Sequence, residues 1–373
     1  MANSTLNGSL QRLPISVLTG FLGSGKTTAL NHLIQQPSLS RTLVLINEFG
    51  EIGLDHDLVT HSTDEVVIEM ASGCLCCTIR GDLAQTLREA PGRFARGGEL
   101  WFDRVVIETT GLADPAPILH TLMSDSGVVP HYILDGVITT VDAVNGSDTL
   151  ERQIESVKQA AMADRLIITK ADILEDTESL HRLQDRLRDL NPAATQFIVE
   201  NGKVDPAHLF DTGIYNPKSK TLDVQNWLNA EAHAEPQAHH HHQHDVNRHD
   251  ERIKAVCLTI DEPIPSKALD HWLETIFRLR GADLLRTKGI INVAESEGPL
   301  IVHGVQHIFH PAITLDEWPS DDRRSRVVFI TRDIDATDLC DSLKLLTGVN
   351  AQTLAHQTAL SANRDISKIE TGE

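Results

Sequence analysis

Lys26 and Thr27 close the segment Gly20-Phe21-Leu22-Gly23-Ser24-Gly25-Lys26-Thr27, which fits the pattern G-x-x-x-x-G-K-[ST]. Glycines let such a turn fold back with its amide N–H groups pointing inward. The lysine brings a point charge to the β and γ oxygens of a triphosphate, and the threonine hydroxyl reaches Mg2+. An apolar run, Ile15–Leu18, leads into the segment and a helix-like run, Thr28–Ile34, leaves it, which is the setting this chemistry requires. Gly20, Gly23, Ser24, Gly25, Lys26, Thr27 and Thr28 are therefore the candidate phosphate and Mg2+ contacts.

Two further segments complete a nucleotide site. Arg104-Val105-Val106-Ile107-Glu108-Thr109-Thr110-Gly111 reads as a buried strand ending in a carboxylate and then a glycine. Glu108 can hold the water shell of Mg2+, and the Gly111 amide can sense a γ-phosphate. With Lys26 these form the candidate catalytic set; no dedicated general base is legible. Leu166-Ile167-Ile168-Thr169-Lys170-Ala171-Asp172 is a strand ending in Thr-Lys-x-Asp. Asp172 can accept both N1–H and N2–H2 of guanine, while the Lys170 stem covers the base, which favours GTP over ATP. Glu200-Asn201-Gly202-Lys203 follows another strand and offers backbone groups to close the base pocket.

A second chemistry lies between them. Ser72-Gly73-Cys74-Leu75-Cys76-Cys77-Thr78 sets three thiols at i, i+2 and i+3. Thiolates so spaced can reach one soft or borderline metal such as Zn2+, with a histidine, carboxylate or water completing the shell. Three cysteines give an incomplete site, suited to a metal that must be handed on. Buried small hydrophobes and a redox switch are the other readings of the same residues. His239, His240, His241, His242 and His244, flanked by His233 and His249, form weak auxiliary imidazole ligands for Zn2+, Ni2+ or Co2+, or a solvated linker with incidental metal affinity.

These residues must be positioned by a chain of 373 residues, enough for two ordinary domains. A hydrophobic content of 40% and a charged content of 23% describe a globular protein. A net charge of −20 argues against nucleic-acid or anionic-membrane partners. The apolar runs fall short of the roughly 18–20 residues of a membrane span, and Met1–Pro14 lacks signal-peptide character, so a cytoplasmic location is expected. Five cysteines, three of them clustered, do not resemble a disulfide framework.

From Pro14 to about Val199, buried-type strands alternate with amphipathic segments, which predicts an α/β, P-loop three-layer fold with a mostly parallel sheet. The expected strands are Ile15–Leu18, Leu43–Ile46, Val66–Met70, Arg104–Ile107, Gly136–Val141, Arg165–Ile168 and Gln196–Val199. Leu83–Ala90, Thr149–Ala161 and Thr177–Leu190 read as helices. Beyond a His-rich linker, a small α+β domain follows: strand Lys254–Ile260, helix Ser266–Arg280, strands Asp283–Val293, Leu300–Phe309 and Arg326–Thr331, and helix Asp335–Leu346. In an unbroken strand, His303 and His307 share one face as a client or metal surface, or as hydrogen-bonded core. Trp272 and Phe277 read as helix core, and Arg323, Arg324 and Arg326 as a solvated turn. The divisions expected are a tail at 1–13, a nucleotide domain at 14–229, a linker at 230–252, the C-terminal domain at 253–350 and a tail at 351–373.

Taken together, Thr19–Thr28, Asn47-Glu48-Phe49-Gly50, Gly73–Cys77, Glu108–Pro115 and Thr169–Asp172 resemble, in order and spacing, the CobW-type GTPases of the SIMIBI class of P-loop proteins. The likeness runs over roughly Pro14–Phe210, and Lys254–Leu346 looks like the family's C-terminal domain. It implies slow GTP hydrolysis coupled to delivery of a metal, zinc with cobalt or iron as alternatives, to a client protein or a cofactor pathway. By position, Cys74, Cys76 and Cys77 are then the metal ligands, and Glu48 is a carboxylate linking metal and nucleotide sites. The resemblance also admits a homodimer, since many SIMIBI GTPases dimerise around nucleotide. A P-loop small-molecule kinase and a zinc store are the competing readings; the first would need an arginine-bearing lid, and the second has no use for Lys26 or Asp172.

Overall fold

The computed structural model describes residues 12–47, 66–69, 77–96, 99–174, 176–210, 252–309 and 312–353. In chain order the first part comprises β1 (Leu13–Gly20), α1 (Lys26–Ile34), β2 (Thr42–Asn47), β3 (Val66–Glu69), α2 (Cys77–Arg93) and a short hairpin of β4 (Ala95–Arg96) and β5 (Glu99–Leu100). It continues through β6 (Arg104–Thr109), α3 (Ala116–Ser124), β7 (Tyr132–Asp142), α4 (Gly146–Arg152), α5 (Ile154–Ala161), β8 (Arg165–Thr169), α6 (Thr177–Leu190) and β9 (Thr195–Ile198).

Seven of these strands form one sheet in the order β3-β2-β6-β1-β7-β8-β9, and every pairing in it is parallel. Alternation decides which side chains face which layer. Ile15, Val17, Leu43, Leu45, Val105, Ile107, Leu166 and Ile168 pack under α2, α3, α5 and α6. Leu18, Val44, Val106, Ile138 and Ile167 pack on the opposite side with Leu30, Leu33 and Ile34 of α1 and with Val199, Val204, Leu209 and Phe210. Both faces being covered, the strands are apolar nearly throughout. After β1 the chain crosses to β2 on one side, and after β6 to β7 on the other, so β1 lies where the winding reverses. Open parallel sheets bind ligands at the carboxyl ends of the strands at such a point.

The second part comprises β10 (Ile253–Ile260), α7 (Ser266–Arg280), β11 (Leu284–Ile291), β12 (Leu300–Val305), β13 (Ile308–Phe309), β14 (Ile313–Thr314), β15 (Ser325–Arg332), α8 (Ala336–Thr347) and β16 (Gln352–Thr353). Its sheet runs β13-β12-β11-β15-β10-β16, antiparallel throughout, with β14 also paired to β12. One face packs against α7 and α8 through Leu258, Ile260, Val302, Val327 and Phe329 around the buried Trp272. The other presents Ile253, Leu285, Val305 and Ile330 to the core of the first part. The antiparallel sheet is thus a layer between its own helices and those of the parallel-sheet unit.

Three expectations need correction. The helix expected over Thr149–Ala161 is two helices, because Gln153 takes an extended conformation (φ −124°, ψ 107°) between α4 and α5. The strand expected over Leu300–Phe309 breaks at Gln306, whose φ of 51° turns the chain into a hairpin pairing Val305 with Ile308. His303 and His307 therefore do not share a face of one strand; His307 Nδ1 lies 3.3 Å from the Phe277 carbonyl. Of the arginines read as a solvated turn, Arg323 and Arg324 are exposed, but Arg326 belongs to β15 and is half-buried; Arg324 and Arg326 both pair with Asp322. Trp272 and Phe277 are core, as expected. Met70, the His-rich segment 230–251 and His310 lie outside the described residues. No described helix is long and apolar enough to cross a membrane.

Candidate functional site

The carboxyl ends of β1, β6, β7 and β8 converge on the turn Gly20–Gly25. Gly25 caps α1 in the left-handed region (φ 91°, ψ 20°), where a side chain would be strained. Gly20 is fixed by crowding, since a Cβ there would come within 2.2 Å of Thr140 Oγ1. The turn is held from below by hydroxyls. Ser24 Oγ and Thr140 Oγ1 share a hydrogen bond of 2.6 Å, and Thr169 Oγ1 donates to Ser24 O at 2.7 Å. Thr109 Oγ1 donates to Thr19 Oγ1 at 2.7 Å. α1 begins directly at Lys26 with no acidic residue in its first turn, so its amide groups and positive dipole end face the turn.

Lys26 Nζ donates to Gly20 O at 2.9 Å and Phe21 O at 3.1 Å, curled over the loop it belongs to. Thr27 Oγ1 donates to Glu108 Oε1 at 3.2 Å. Glu108 is buried at the end of β6, in register with Leu18 of β1 and Ile46 of β2. These adjacent oxygens are a hard donor pair that fits Mg2+. Gly111 packs against the turn so closely that a Cβ would lie 2.7 Å from Leu22 N.

On the β8 side, Lys170 has φ 60° and sends Nζ to Asp142 Oδ2 at 2.7 Å. Asp142 also accepts from Val144 N (2.8 Å), Asn145 N (3.2 Å) and Asn145 Nδ2 (3.1 Å). Burial opposes its ionisation, but Lys170, Asn145 and the two amides outweigh it and hold the carboxyl below the usual range. Asp172 is exposed, and its Oδ1 accepts from Asn201 N at 3.3 Å. A Cβ on Gly202 would come within 2.8 Å of Thr28 Cγ2, so the 200–203 segment reaches across to α1. A cavity of about 220 Å3 runs from Phe21 and Gly23 past Asp142, Asn145 and Thr149 to Lys170.

The structure thus brings Gly20, Gly23, Ser24, Gly25, Lys26, Thr27, Glu108 and Gly111 to one edge of the sheet, with Thr28, Lys170 and Asp172 beside them. Cys77 is the first residue of α2. Cys74, Cys76, Glu48 and His239–His242 with His244 lie outside the described residues. Among the described residues no group of three or more His, Cys, Asp or Glu converges. Reading the sequence passed over Thr140, Asp142, Asn145, Lys158 and Gln159. Asp142 at the end of an apolar strand was the one trace available, placed as Glu108 is on β6.

Fold and site together define a P-loop nucleotide-binding α/β protein carrying an antiparallel-sheet domain. The family profile described as CobW/HypB/UreG, nucleotide-binding domain matches residues 14–198, and that of the cobalamin synthesis protein cobW C-terminal domain matches residues 253–346. The zinc chaperone CobW of Pseudomonas aeruginosa is 30% identical over 369 residues, spanning 90% of this chain and 92% of its own. The zinc chaperone YjiA of Escherichia coli K12 is 29% identical over 318 residues, spanning 85% and 93%. The crystal structure of Zn(II)-bound YjiA GTPase from E. coli superposes with a TM-score of 0.64 at 26% identity, covering 90% of this chain and 99% of that one. The chain belongs to the CobW family.

Proposed function

We propose that this protein is a GTP-hydrolysing metallochaperone that carries zinc on Cys74, Cys76 and Cys77 and passes it to a client protein, with metal affinity set by the bound nucleotide. The observation that carries the nucleotide half is the meeting of Thr27 Oγ1 with Glu108 Oε1 beside Lys26, at the point where the sheet's winding reverses. The metal half is supported by the cysteine motif and by relatives named as zinc chaperones. Glu48, the second residue of the Asn47-Glu48-Phe49-Gly50 segment, follows β2 directly in the chain, which suits a carboxylate shared between the nucleotide and metal sites.

Lys26 leaves the carbonyls of Gly20 and Phe21 for the β and γ oxygens when GTP enters, and the first amides of α1 take the remaining charge. Thr27 and Glu108 would hold Mg2+, Glu108 through its water shell, and the ion would supply charge neutralisation to the phosphates. Gly111 offers its N–H to the γ-phosphate. Asp172 exchanges its contact with the Asn201 amide for N1–H and N2–H2 of guanine, and Lys170 covers the ring. Loss of the γ-phosphate releases the Gly111 segment and, through Asn47–Leu54, alters how many ligands the metal keeps. The histidine tract gathers metal weakly for the cysteines. Cobalt or iron as cargo keeps the same mechanism with another client.

Steady-state hydrolysis of GTP and ATP by the wild type, Lys26→Ala and Asp172→Asn tests the nucleotide half. The wild type should favour GTP by about tenfold or more, Lys26→Ala should lose turnover, and Asp172→Asn should transfer the preference to xanthosine triphosphate, whose ring presents an acceptor where guanine presents an amine. Equal use of GTP and ATP would refute the guanine assignment. Stoichiometric transfer of phosphate to a small acceptor would instead establish a kinase.

A further inference from the structure

We propose that Gln159, on α5, is a positioning residue for hydrolysis that sets the orientation of the Gly111 peptide; this rests on the GTPase reading above. Gln159 is 0% exposed. Its Nε2 donates to Gly111 O at 3.2 Å and to Ala113 O at 2.9 Å, and its backbone carbonyl accepts from Thr139 Oγ1 of β7 at 2.9 Å. One residue earlier, Lys158 Nζ meets Asp114 Oδ2 at 2.8 Å, while Asp114 Oδ1 accepts from Ala116 N at the start of α3. α5 therefore grips the segment between β6 and α3 at three points. The phosphate-binding turn presses on its other side, where Leu22 leaves no room for a side chain on Gly111.

Gln159 Oε1 is buried and has no hydrogen-bond partner among the described residues. A buried unpaired acceptor is rare enough to call for a reason. The peptide joining Gly111 to Leu112 supplies one. With its carbonyl toward α5, as observed, it is held by Nε2. A flip of that peptide, which glycine tolerates, turns the Leu112 N–H toward Oε1 instead. The same carboxamide can thus hold either orientation of the peptide that follows Gly111, and so anchors the Gly111 Cα whose N–H a γ-phosphate must meet.

α5 also carries this grip to the second domain. It runs into Asp164, whose carboxylate is buried against Arg286 and Lys288 of β11. A partner that shifts the antiparallel sheet therefore pulls on the element that holds Gly111.

The test uses the full-length protein with Gln159→Met, which keeps the volume and removes both amide functions, and Gln159→Glu. For Gln159→Met, kcat should fall about tenfold while KM and GDP affinity change less than about twofold, because GDP has no γ-phosphate to reach Gly111. The ratio of affinities for a non-hydrolysable GTP analogue and GDP should shift by a similar factor. A buried glutamic acid keeps one donor while neutral, so Gln159→Glu should retain activity at pH 6 and lose it toward pH 8, unlike the wild type. Unchanged kcat in Gln159→Met, or equal losses of GDP affinity, kcat and melting temperature, would overturn the proposal. Absence of turnover in the wild type would sink the hydrolase reading alone, since the affinity ratio needs no turnover and still decides the role of Gln159.

Discussion

Two aspartates bracket β8 and make the same kind of ion pair with opposite consequences. At its carboxyl end Asp142 meets Lys170, which is 36% exposed, and three further donors satisfy the carboxylate. At its amino end Asp164 meets Arg286 at 2.5 Å together with Lys288, and none of the three has appreciable contact with water. Asp164 also accepts from Val137 N at 2.9 Å. Lys170 can leave for a ligand at small cost, because solvent and the remaining donors cover both ions. Arg286 and Lys288 cannot, because nothing replaces a buried partner. The edge that must respond to nucleotide is built to exchange partners, and the junction between the two sheets is built to keep them.

Asp164→Asn should break the junction most. It leaves two cations buried without an anion, a loss of about 3–5 kcal/mol in denaturant unfolding. A loss below about 1 kcal/mol would mean that water reaches the site. Burial opposes ionisation of Asp164, but Arg286 and Lys288 hold it well below the usual carboxylate range. Its stabilisation is therefore present above about pH 4 and is lost as pH falls through the folded value.

Lys288→Met probes the same junction through its pH dependence. Burial, reinforced by Arg286 and opposed by Asp164, brings the Lys288 ammonium down to about 8. Between about pH 8 and 10.5 the unfolded chain then binds more protons than the folded one, so wild-type stability gains from this group as pH rises. The stability of the wild type relative to Lys288→Met should therefore rise between about pH 8 and 10.5, read by denaturant unfolding at a series of pH values. A difference independent of pH would remove the burial argument.

At the nucleotide edge the effects should be smaller and fall on binding. Thr169→Val removes the bond to Ser24 O and should cost about 1 kcal/mol, read as roughly a fivefold loss of GDP affinity. Asp142→Asn should change stability by less than about 1 kcal/mol, since Lys170 turns to solvent. A loss as large as that of Asp164→Asn would erase the contrast between the two ends of β8.

Much of the nucleotide edge was legible in the chain because it is made of local pattern: a turn with spaced glycines, and strands ending in Glu108 and in Thr169–Asp172. Strand faces followed from alternation, as Ile15 and Val17 against Leu18 illustrate. Gln159 was not legible. In sequence it is one polar residue in an amphipathic run, and only the docking of the Gly111 segment on α5 buries it. Asp164, Arg286 and Lys288 likewise gain meaning only across 122 residues of separation. Two cations at alternate positions of an otherwise apolar strand, Leu284–Ile291, were their only trace. The breaks at Gln153 and Gln306 also escaped pattern reading, since neither residue type stops a helix or strand by itself.

The most direct measurement is a competitive Zn2+ titration against a calibrated chelator, on the full chain and on a variant lacking His239–His244, with Mg-GDP and with a non-hydrolysable GTP analogue. A tight site that survives deletion of the histidines, disappears in Cys74/Cys76/Cys77→Ser and differs about 30-fold or more between the two nucleotides is the predicted result. Equal Zn2+ affinity in both nucleotide states would contradict a carrier gated by GTP.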